Sequence, residues 1–537
     1  MQNQSIGWKA ESKTGAIAAG AAGSVAAGMS ILNKDGNAAD AAVATLLALM
    51  VTDHGYCSIG GEVPLMIYDA SRKEVKVLSG MGSAPLSPAA IDWYMQHGIP
   101  EPGNMKIAPV PSVVDTCLTA LKLYGTKTFS EVVAPTLALL DAGTEEWEPR
   151  LAVTLRKMTA EEQSVAGTRQ DRIQAACDLF YGRGAKPSSI ANELEAFYIE
   201  NGGFLRKADL AAHVTRIEDP VTVDYRGYTV CKCGPWTQGP MLCQALRLLE
   251  GFDLKKMGFL SADYVHTVME ALKLAMADRD EYYADPNFVE VPLNALLSDE
   301  YTAMRRPLID MQHASLEVRP GDPYKMEALK AAGAFHATVG GTTTCVVADR
   351  WGNVVAATPS ANVLPGRHEG GQAGVTFGNR LRSFNTTPGH PNCIQAGKRP
   401  RITLTPTLVL KEGKPVLAIS VSGGDLQDQV TLGLLLGAIE FGMLPEQAVI
   451  APRFSTSHHE DSFDPNPDRR ATFGQPGSIF SHGTLSAEAY AELARRGHHL
   501  HTTTATIGLP VMLSIDQEQG ILRAAGDPAT GRHAAGL

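Results

Sequence analysis

The sequence predicts a layered α/β protein. Short strand and helix patterns alternate in the first third of the chain, more strongly charged helical patterns fill residues 150–220, and strand-rich segments follow residue 340. Helices and strands each have an apolar face that must be buried against another element, so helical layers over strand-rich segments are the expected arrangement. The pattern does not set the order of the layers.

The N-terminal elements follow from capping, alternation and periodicity. Asp35-Gly-Asn37 forms a turn into an Ala-rich helix over Ala38–Val51, where Asp40 lies near the positive end of the helix dipole. Pro64–Tyr68 and Val75–Leu78 are apolar runs joined by a short polar turn, which predicts adjacent strands. Helical patterns continue in three further segments, Pro111–Gly143, 150–220 and Ala262–Asp280.

The strand-rich C-terminal part begins with a β-hairpin. Thr342–Asp349 and Val354–Thr358 are β-branched arms on either side of a turn that contains Gly352-Asn353. Two strands and a helix are predicted after the hairpin, over Thr405–Leu410, Pro415–Val421 and Gln427–Phe441.

Composition and charge exclude several classes of protein. The chain has 537 residues, of which 44% are apolar, and this excludes a disordered chain and a disulfide-stabilised miniprotein. The formal net charge of −10 argues against a partner such as nucleic acid, whose backbone attracts basic proteins. The longest strongly apolar run, Ala41–Val51, is about half of the roughly 20 residues that a bilayer requires, so no membrane partner is expected.

The N-terminus and the cysteines indicate a cellular compartment. Residues 14–33 are mostly Ala, Gly and Ser, and Glu11 lies between Lys9 and Lys13, which makes a poor secretory leader. We therefore expect a cytoplasmic protein. The eight cysteines are scattered along the chain, as is typical of reduced thiols in an intracellular enzyme.

The strongest chemical signal is Gly340-Gly341 ahead of three consecutive threonines at the start of a strand. A hydroxyl is a weak nucleophile without an adjacent base. If the chain is cut before Thr342, the new α-amine has a pKa near 7.7–8.0 and can serve as that base. Glycine on the acyl side exposes the carbonyl that the Thr342 hydroxyl would attack. The alternative is that a Thr-rich strand is only a strand.

Other motifs support the first interpretation, because together they resemble the γ-glutamyltransferase family of N-terminal-nucleophile hydrolases. The resemblance runs nearly end to end and rests on motifs that occur in the family's order. They are Asp35–Ala44, Ser58–Gly61, Leu65–Asp69, Val110-Pro111, Tyr124-Gly125, Glu270–Arg279, Asp285-Pro286, Thr342–Asp349, Gly352-Asn353, Gly397–Pro400, Thr405–Thr407, Ser422–Gly424 and Ala451–Phe454.

The resemblance implies a precursor that cleaves itself between Gly341 and Thr342. Residues 1–341 would form the large subunit and residues 342–537 the small subunit, and both would remain in one four-layer αββα sandwich. Thr342 matches the nucleophile, with Thr343 as the alternative if the register differs by one residue. Ser360 matches a hydroxyl that hydrogen-bonds the nucleophile. Three further positions match the family's site: Asn362 as a substrate-contacting amide, and Gly423 and Gly424 as a backbone oxyanion hole.

The chain departs from the family at the positions that hold a γ-glutamyl head group. Met81 stands where an arginine binds the α-carboxylate, Ser383 where an acidic residue binds the α-ammonium, and Ile402-Thr403 where a serine pair contacts the carboxylate. Each lost charge-assisted contact is worth about 1.5–3 kcal/mol. The resemblance therefore points to a different head group.

Three arginines are the candidate binding residues for that head group, namely Arg380, Arg382 and Arg401. The stretches around them resemble the branch that contains oxamate amidohydrolase, which implies a small amide substrate carrying a carboxylate. Each arginine is otherwise a candidate for solvated surface. Two alternatives remain open: a γ-glutamyltransferase or glutathione hydrolase with rebuilt head-group contacts, and an uncleaved, non-enzymatic member of the family. A dimer of the two-subunit unit is also left open.

No cofactor and no metal are expected. The sequence has no phosphate loop and no dinucleotide fingerprint. Cys231-Lys-Cys233 lacks a second cysteine pair at zinc-site spacing, and it is expected in a strand. The runs His458–Asp461 and His498–His501 lack the spacing of a zinc hydrolase and are expected in exposed loops or turns.

Overall fold

The computed structural model describes residues 6–184, 187–330, 342–361, 371–483 and 485–537. Most strands in these ranges are short. They are β1 (Lys9–Ser12), β2 (Gly15–Ala19), β3 (Leu65–Asp69), β4 (Glu74–Leu78), β5 (Ile217–Glu218), β6 (Val221–Tyr225), β7 (Tyr228–Lys232), β8 (Cys345–Asp349), β9 (Val354–Ala357), β10 (Thr407–Lys411), β11 (Lys414–Ser422), β12 (Arg453–Ser455), β13 (Ser478–His482), β14 (His499–Thr502), β15 (Leu509–Asp516), β16 (Ile521–Gly526) and β17 (His533–Gly536).

Helices occupy the connections between these strands. They are α1 (Ala22–Leu32), α2 (Ala38–Thr52), α3 (Pro88–His97), α4 (Val113–Tyr124), α5 (Phe129–Ala142), α6 (Trp147–Ser164), α7 (Arg169–Tyr181), α8 (Ser189–Glu200), α9 (Lys207–Ala212), α10 (Gly239–Leu249), α11 (Leu254–Met257), α12 (Ala262–Tyr282), α13 (Leu293–Leu296), α14 (Asp299–Arg305), α15 (Leu426–Phe441), α16 (Pro445–Ala448) and α17 (Ala487–Arg495). Short 3-10 turns cover Met105–Ile107, Arg306–Leu308, Gly371–Ala373, Arg380–Ser383, Arg469–Thr472 and Pro528–Thr530.

Two seven-stranded sheets form the centre of the molecule. The first has the order β1-β16-β15-β11-β10-β7-β6, and the second has the order β17-β2-β8-β9-β3-β4-β5. Neighbouring strands in both sheets are antiparallel, with β8 paired on one side to β2 and on the other to β9. A small third sheet, β12-β13-β14, contains a parallel pair between β13 and β14. Segments before and after residue 342 thus contribute strands to both large sheets.

The buried apolar residues show that the layers are stacked as helix, sheet, sheet, helix. One cluster joins α1, α2 and α4–α8 to the outer face of the second sheet, and another joins α10, α12 and α15 to the outer face of the first sheet. A third cluster lies between the sheets and contains residues of both. In β8, Val347 faces the helices while Val346 and Ala348 face the other sheet, as period-2 alternation requires. The predicted α/β class and its αββα layering are confirmed.

The predicted elements agree well with these bounds. The Ala-rich helix is α2, and Asn37 caps it in a reciprocal pair with Asp40. Its first N–H, from Ala38, donates to the Asp349 carboxylate at the end of β8, which joins the helix to the hairpin strand. The hairpin strand itself begins at Cys345, so Thr342–Thr344 precede it as buried chain without regular secondary structure.

The two histidine runs are placed differently from the prediction of exposed loops or turns. His458, His459 and His498 are buried, and His499–Thr502 is strand β14. All eight cysteines are buried and carry no disulfide. Within the described ranges, no helix is both long enough and apolar enough to cross a membrane.

We expect acid to destabilise the fold through buried neutral histidines. Burial lowers the pKa of His213 to about 4, against the opposing charge of Asp115, and lowers the pKa of His498 to about 3, with Lys273 and His266 adding to the effect. The unfolded chain binds these protons near pH 6.5, so it holds more protons than the native state below that pH. Each histidine therefore costs up to about 1.4 kcal/mol per pH unit as the pH falls from 6.5 toward its folded pKa.

Urea denaturation between pH 7.5 and 5 measures this slope. The matched control is His213→Phe, because His213 Nε2 is buried without a hydrogen-bond partner among the described residues and its ring packs on Tyr181. This variant should reduce the slope by about one proton. An unchanged slope would contradict the assignment.

Candidate active site

Three consecutive threonines lie at the entrance to β8, and each hydroxyl has a different environment. Thr342 Oγ1 donates to Ser360 Oγ at 3.3 Å, and the Thr342 carbonyl accepts a hydrogen bond from Ser422 Oγ. Thr343 Oγ1 donates to the Asp53 carboxylate, and the Thr343 N–H donates to the carbonyl of Pro359 at 3.0 Å. Thr342 is therefore the threonine that faces the predicted partner hydroxyl, whereas Thr343 is bound to Asp53.

Ser360 is the centre of a buried hydrogen-bond chain. Arg380 Nη2 donates to Ser360 Oγ at 2.6 Å, and Arg380 Nε donates to Glu62 Oε1 at 2.6 Å. The side chains of Arg380 and Glu62 are both 0% exposed. Arg380 Nη1 has no hydrogen-bond partner among the described residues. A positive charge, with one donor that no described residue binds, thus lies one hydroxyl away from Thr342.

The backbone places Ser360 and Glu62 side by side. Ser360 N donates to Glu62 O and Glu62 N donates to Ser360 O, both at 2.9 Å, in an isolated antiparallel bridge. The bridge needs the glycine before Glu62, because a Cβ on Gly61 would lie 2.2 Å from the Ser360 carbonyl oxygen. The Ser58–Gly61 motif therefore lets the chain pass close to the Ser360 loop.

Opposing effects act on the pKa of Glu62 in the Arg380–Glu62 pair. Burial raises the pKa of Glu62 above its ordinary value, although the charge of Arg380 and hydrogen bonds from Arg380 and Ser360 oppose that rise. The guanidinium of Arg380 also lies over the ring of Phe463, 5.1 Å from its centroid. Together these contacts hold Arg380 in one position against Ser360.

The predicted oxyanion glycines form the turn between β11 and α15. Gly423 and Gly424 have φ values of 138° and 61°, which favour glycine. A Cβ on Gly424 would lie 2.9 Å from Phe463 Cε2, so the ring is packed directly against the turn. Neither N–H donates to another described residue. Two unpaired N–H groups at the start of a helix suit developing negative charge.

An ion-pair network lies behind this turn. The Asp425 carboxylate accepts from Arg279 Nη1, from Ser462 N at 3.1 Å and from Ser462 Oγ, and Arg401 Nη1 donates to the same Ser462 Oγ at 2.6 Å. Burial would raise the pKa of Asp425, but Arg279 and other positive neighbours outweigh it and hold the pKa well below the usual range. Burial and the nearby Arg279 lower the pKa of Arg401 to about 10. Arg401 thus stabilises the glycine turn and the neighbouring Phe463 through its hydrogen bond to Ser462.

The remaining predicted binding positions are distributed around this centre. Met81 is packed in the apolar cluster between the sheets, together with Ile402. Ser383 and Thr403 are buried, and neither side-chain hydroxyl has a partner among the described residues. Arg382 is half-buried and follows Arg380 in the same 3-10 turn. Gly341 and Asn362 lie outside the described residues.

Of the three predicted arginines, the structure brings Arg380 into contact with Ser360. Neither Arg380 nor Arg401 is the solvated surface residue that the sequence left as an alternative, because both are buried. Arg401 Nη1 is bound to Ser462, whereas Arg380 Nη1 is buried and has no hydrogen-bond partner in the described parts of the chain. The geometry therefore favours Arg380 for a ligand beside Thr342.

A cavity of about 490 Å³ opens at the glycine turn. We call it the glycine-turn cavity. Gly423 and Gly424 form one end, and Leu426, Phe463, Phe480 and Ile507 provide most of its apolar wall. Its size is that of a typical small-molecule site.

One group of potential metal ligands occurs among the described residues. His266, Glu270 and His498 place a donor atom each within 4.8 Å of one another. His266 Nδ1 and His498 Nε2 share a hydrogen bond of 2.8 Å, and Glu270 is bound by Lys273 and Arg319. Two cations on the carboxylate disfavour a divalent ion at this position.

Glu62 and Phe463 were not predicted from the sequence as residues of the site. Glu62 is the one charged residue between His54 and Asp69, directly after Gly60-Gly61, and a lone carboxylate in a buried apolar run requires a partner. That signal was present, although its partner is 318 residues away. Phe463 carries no comparable local signal, since an aromatic residue in a polar loop is common.

The arrangement can perform acyl transfer. It holds the Thr342 hydroxyl, a hydrogen-bond acceptor in Ser360, a turn whose two N–H groups have no partner among the described residues, and a buried guanidinium that can bind an anion. Among the described residues, Thr342 Oγ1 is hydrogen-bonded to Ser360 and not to a carboxylate or histidine that could act as its base, and an α-amine at residue 342 would supply that base.

Comparisons with known proteins agree with this chemistry. The family model described as gamma-glutamyltranspeptidase matches residues 24–166 and 145–537. The glutathione hydrolase proenzyme of Bacillus subtilis (strain 168) is 28% identical over 545 aligned positions, covering 95% of this chain and 89% of that protein. The Acylase ACY 1 proenzyme of Pseudomonas sp. (strain SE83) is 30% identical, covering 80% of each chain. The solved structure named LmbA2991HD is 32% identical, with a TM-score of 0.85 and full coverage of both chains.

We expect the Arg380–Glu62 pair to behave as a strongly coupled unit. Arg380→Met and Glu62→Leu should each lower the free energy of unfolding by about 3–5 kcal/mol, because each leaves one buried charge without its partner. The double variant should cost much less than the sum of the two, since it buries no charge. Denaturant unfolding of the four proteins completes the cycle. Additive losses would show that the pair is not coupled.

Proposed function

This chain belongs to the γ-glutamyltranspeptidase family of N-terminal-nucleophile hydrolases, and we propose that it is a self-processing member that hydrolyses a small amide carrying a carboxylate. It is an enzyme, a threonine-dependent amide hydrolase or acyltransferase of that family. The proposal is that Thr342 is the nucleophile, that the bond between Gly341 and Thr342 is the processing site, and that the substrate is a small amide with a carboxylate. The observation that carries it is the buried Arg380, whose Nη2 binds Ser360 next to Thr342 and whose Nη1 is free within the described chain.

The precursor is processed by its own nucleophile. Thr342 Oγ attacks the carbonyl of Gly341, the peptide bond breaks, and water hydrolyses the resulting ester, which leaves Thr342 with a free α-amine. Ser360 holds the hydroxyl through the 3.3 Å hydrogen bond in the meantime. That the relatives described above are named proenzymes supports this step.

Catalysis on the substrate repeats the same chemistry. The α-amine of Thr342 takes the hydroxyl proton, Oγ attacks the amide carbon, and the oxyanion is stabilised by the N–H groups of Gly423 and Gly424. The substrate carboxylate binds the free Nη1 of Arg380 on the acyl side of the amide. A carboxylate close to the amide, as in oxamate and similar monoamides, fits the short path from Thr342 through Ser360 to Arg380.

Cleavage of the precursor tests the nucleophile. Purified wild-type protein should separate on a denaturing gel into residues 1–341 and 342–537, and N-terminal sequencing of the smaller piece should begin at Thr342. Thr342→Ala should remain intact and inactive because the hydroxyl is lost, whereas Thr342→Ser should be cleaved. Thr343→Ala is the matched control and should be cleaved at the same bond. Cleavage that depends on Thr343 instead would assign the nucleophile to the neighbouring residue.

Substrate selectivity tests the role of Arg380. We expect hydrolysis of oxamate or a similar small monoamide at a kcat/KM at least ~10-fold above that of γ-glutamyl-anilide, because the described site offers one buried guanidinium beside Ser360. Arg380→Lys should lower kcat/KM for the carboxylate-bearing amide by ~10–100-fold, since the lysine cannot span Glu62, Ser360 and substrate together. The same change should affect the uncharged amide of equal size much less.

The competing substrate class is the γ-glutamyl compound. The relative from Bacillus subtilis is named a glutathione hydrolase, and this name favours it. Faster turnover of the anilide than of every monoamide would assign the chain to that class. Equal losses for charged and uncharged amides in Arg380→Lys would limit Arg380 to positioning Ser360.

A further inference from the structure

The glycine-turn cavity borders the point at which the scissile carbonyl would lie. Its lining includes both glycines of the β11–α15 turn, and Ser422, the residue before them, holds the Thr342 carbonyl. A carbonyl whose oxygen is bound at the turn has two substituents. One must extend toward Arg380 if it carries the carboxylate, and the other must extend into the cavity.

The ring of Phe463 lies between Arg380 and the glycine-turn cavity. The Arg380 guanidinium lies over its ring, and the ring edge is packed against Gly424. Phe463 lines the cavity, whereas Arg380 does not. The carboxylate end and the cavity end of a substrate would therefore meet at this ring.

The lining of the cavity is chemically selective. Leu426, Phe480 and Ile507 supply apolar surface, and the polar residues among them are mainly neutral threonines, serines and a glutamine. Among the described residues, the lining contains no lysine or arginine, and its one basic side chain is His459, whose Nδ1 is hydrogen-bonded to the carbonyl of Glu460 at 2.8 Å. Its carboxylate, from Asp425, is already bound by Arg279 and Ser462. A group that carries an anionic charge would find no lysine or arginine in this lining to replace its hydration.

We propose that the glycine-turn cavity binds the leaving amine and selects neutral, apolar amines over anionic ones. This inference rests on the proposed function, since it requires an acyl-enzyme at Thr342. It assigns to the enzyme an N-substituted amide in which a short acyl group carries the carboxylate and an alkyl or aryl group of about six carbons is on the nitrogen. The volume of about 490 Å³ accommodates such a group.

The reaction requires the amide and water and no other reactant. The bond between Thr342 Oγ and the acyl carbon forms while the C–N bond breaks. The hydroxyl proton passes through the α-amine to the leaving nitrogen, so the amine departs neutral from the cavity. Water then adds to the ester, releasing the carboxylic acid and restoring the hydroxyl.

A series with one acyl group tests the assignment. The substrates are oxamates substituted on nitrogen with methyl, cyclohexylmethyl or carboxymethyl groups, assayed with the processed wild-type protein. The cyclohexylmethyl amide should have a kcat/KM ~10-fold or more above the methyl amide, because the larger alkyl group buries more apolar surface. The carboxymethyl amide should be the poorest substrate.

A charge placed in the cavity should reverse this order. Phe480 is half-buried in β13 and lines the cavity, so Phe480→Arg should lower the rate for the cyclohexylmethyl amide and raise it for the carboxymethyl amide. A reversal of preference cannot result from partial unfolding, which lowers both rates. Ile450→Arg is the matched control at an isoleucine that is 54% exposed and outside the cavity lining, and it should leave the order unchanged.

The outcomes separate the two proposals. If all three amides are hydrolysed through Thr342 at similar rates, or if Phe480→Arg leaves the order unchanged, the cavity does not bind the amine, while the proposed function stands. If the processed protein hydrolyses none of them, the acyl assignment fails and the cavity assignment falls with it. A preference for the methyl amide over the cyclohexylmethyl amide also overturns the inference.

Discussion

The buried ion pair between Arg380 and Glu62 is the constraint on which the rest of the site depends. Neither side chain is exposed, so each charge requires the other, and the free energy of breaking the pair is several kcal/mol. The pair ties the 3-10 turn Arg380–Ser383 to the segment before β3, and Ser360 is held between them by a backbone bridge and a side-chain bond. The position of the Thr342 partner hydroxyl is thus set by electrostatics as well as by packing.

The sheet topology explains how a cut chain can keep this arrangement. Strands from both sides of residue 342 alternate within each large sheet, and β8 lies between β2 and β9 in the second sheet. The apolar cluster between the sheets contains residues from both segments. Separating two pieces cut at residue 342 would expose this core, so they would remain associated for the same reason that the intact chain folds.

Sequence predicted much of the fold because most elements have a local signal. The capped helix α2, the hairpin β8–β9 and the glycine turn after β11 each follow from residues within a few positions of one another. The pairing of Glu62 with Arg380 has no such signal, since it joins residues far apart in the chain. The same applies to the histidine runs: His498 is polar and sits in a polar stretch, yet it is buried because it pairs with His266 of α12. Tertiary contacts overrode the local pattern in both cases.

The proposed scission changes the charge of the nucleophilic residue more than its position. The Thr342 carbonyl is held by Ser422, the next residue is bound through its N–H to Pro359 and through its hydroxyl to Asp53, and β8 begins two residues later inside a sheet. These contacts lie on the C-terminal side of the bond that breaks, and none is lost when it is cut. The Thr342 hydroxyl is therefore already aligned on Ser360 in the uncut chain, and the proposed cleavage would add an amine on the same residue. In the proposed mechanism, pre-alignment of this kind would let one hydroxyl attack first the peptide bond and then the substrate, because both carbonyls would approach it beside the same glycine turn.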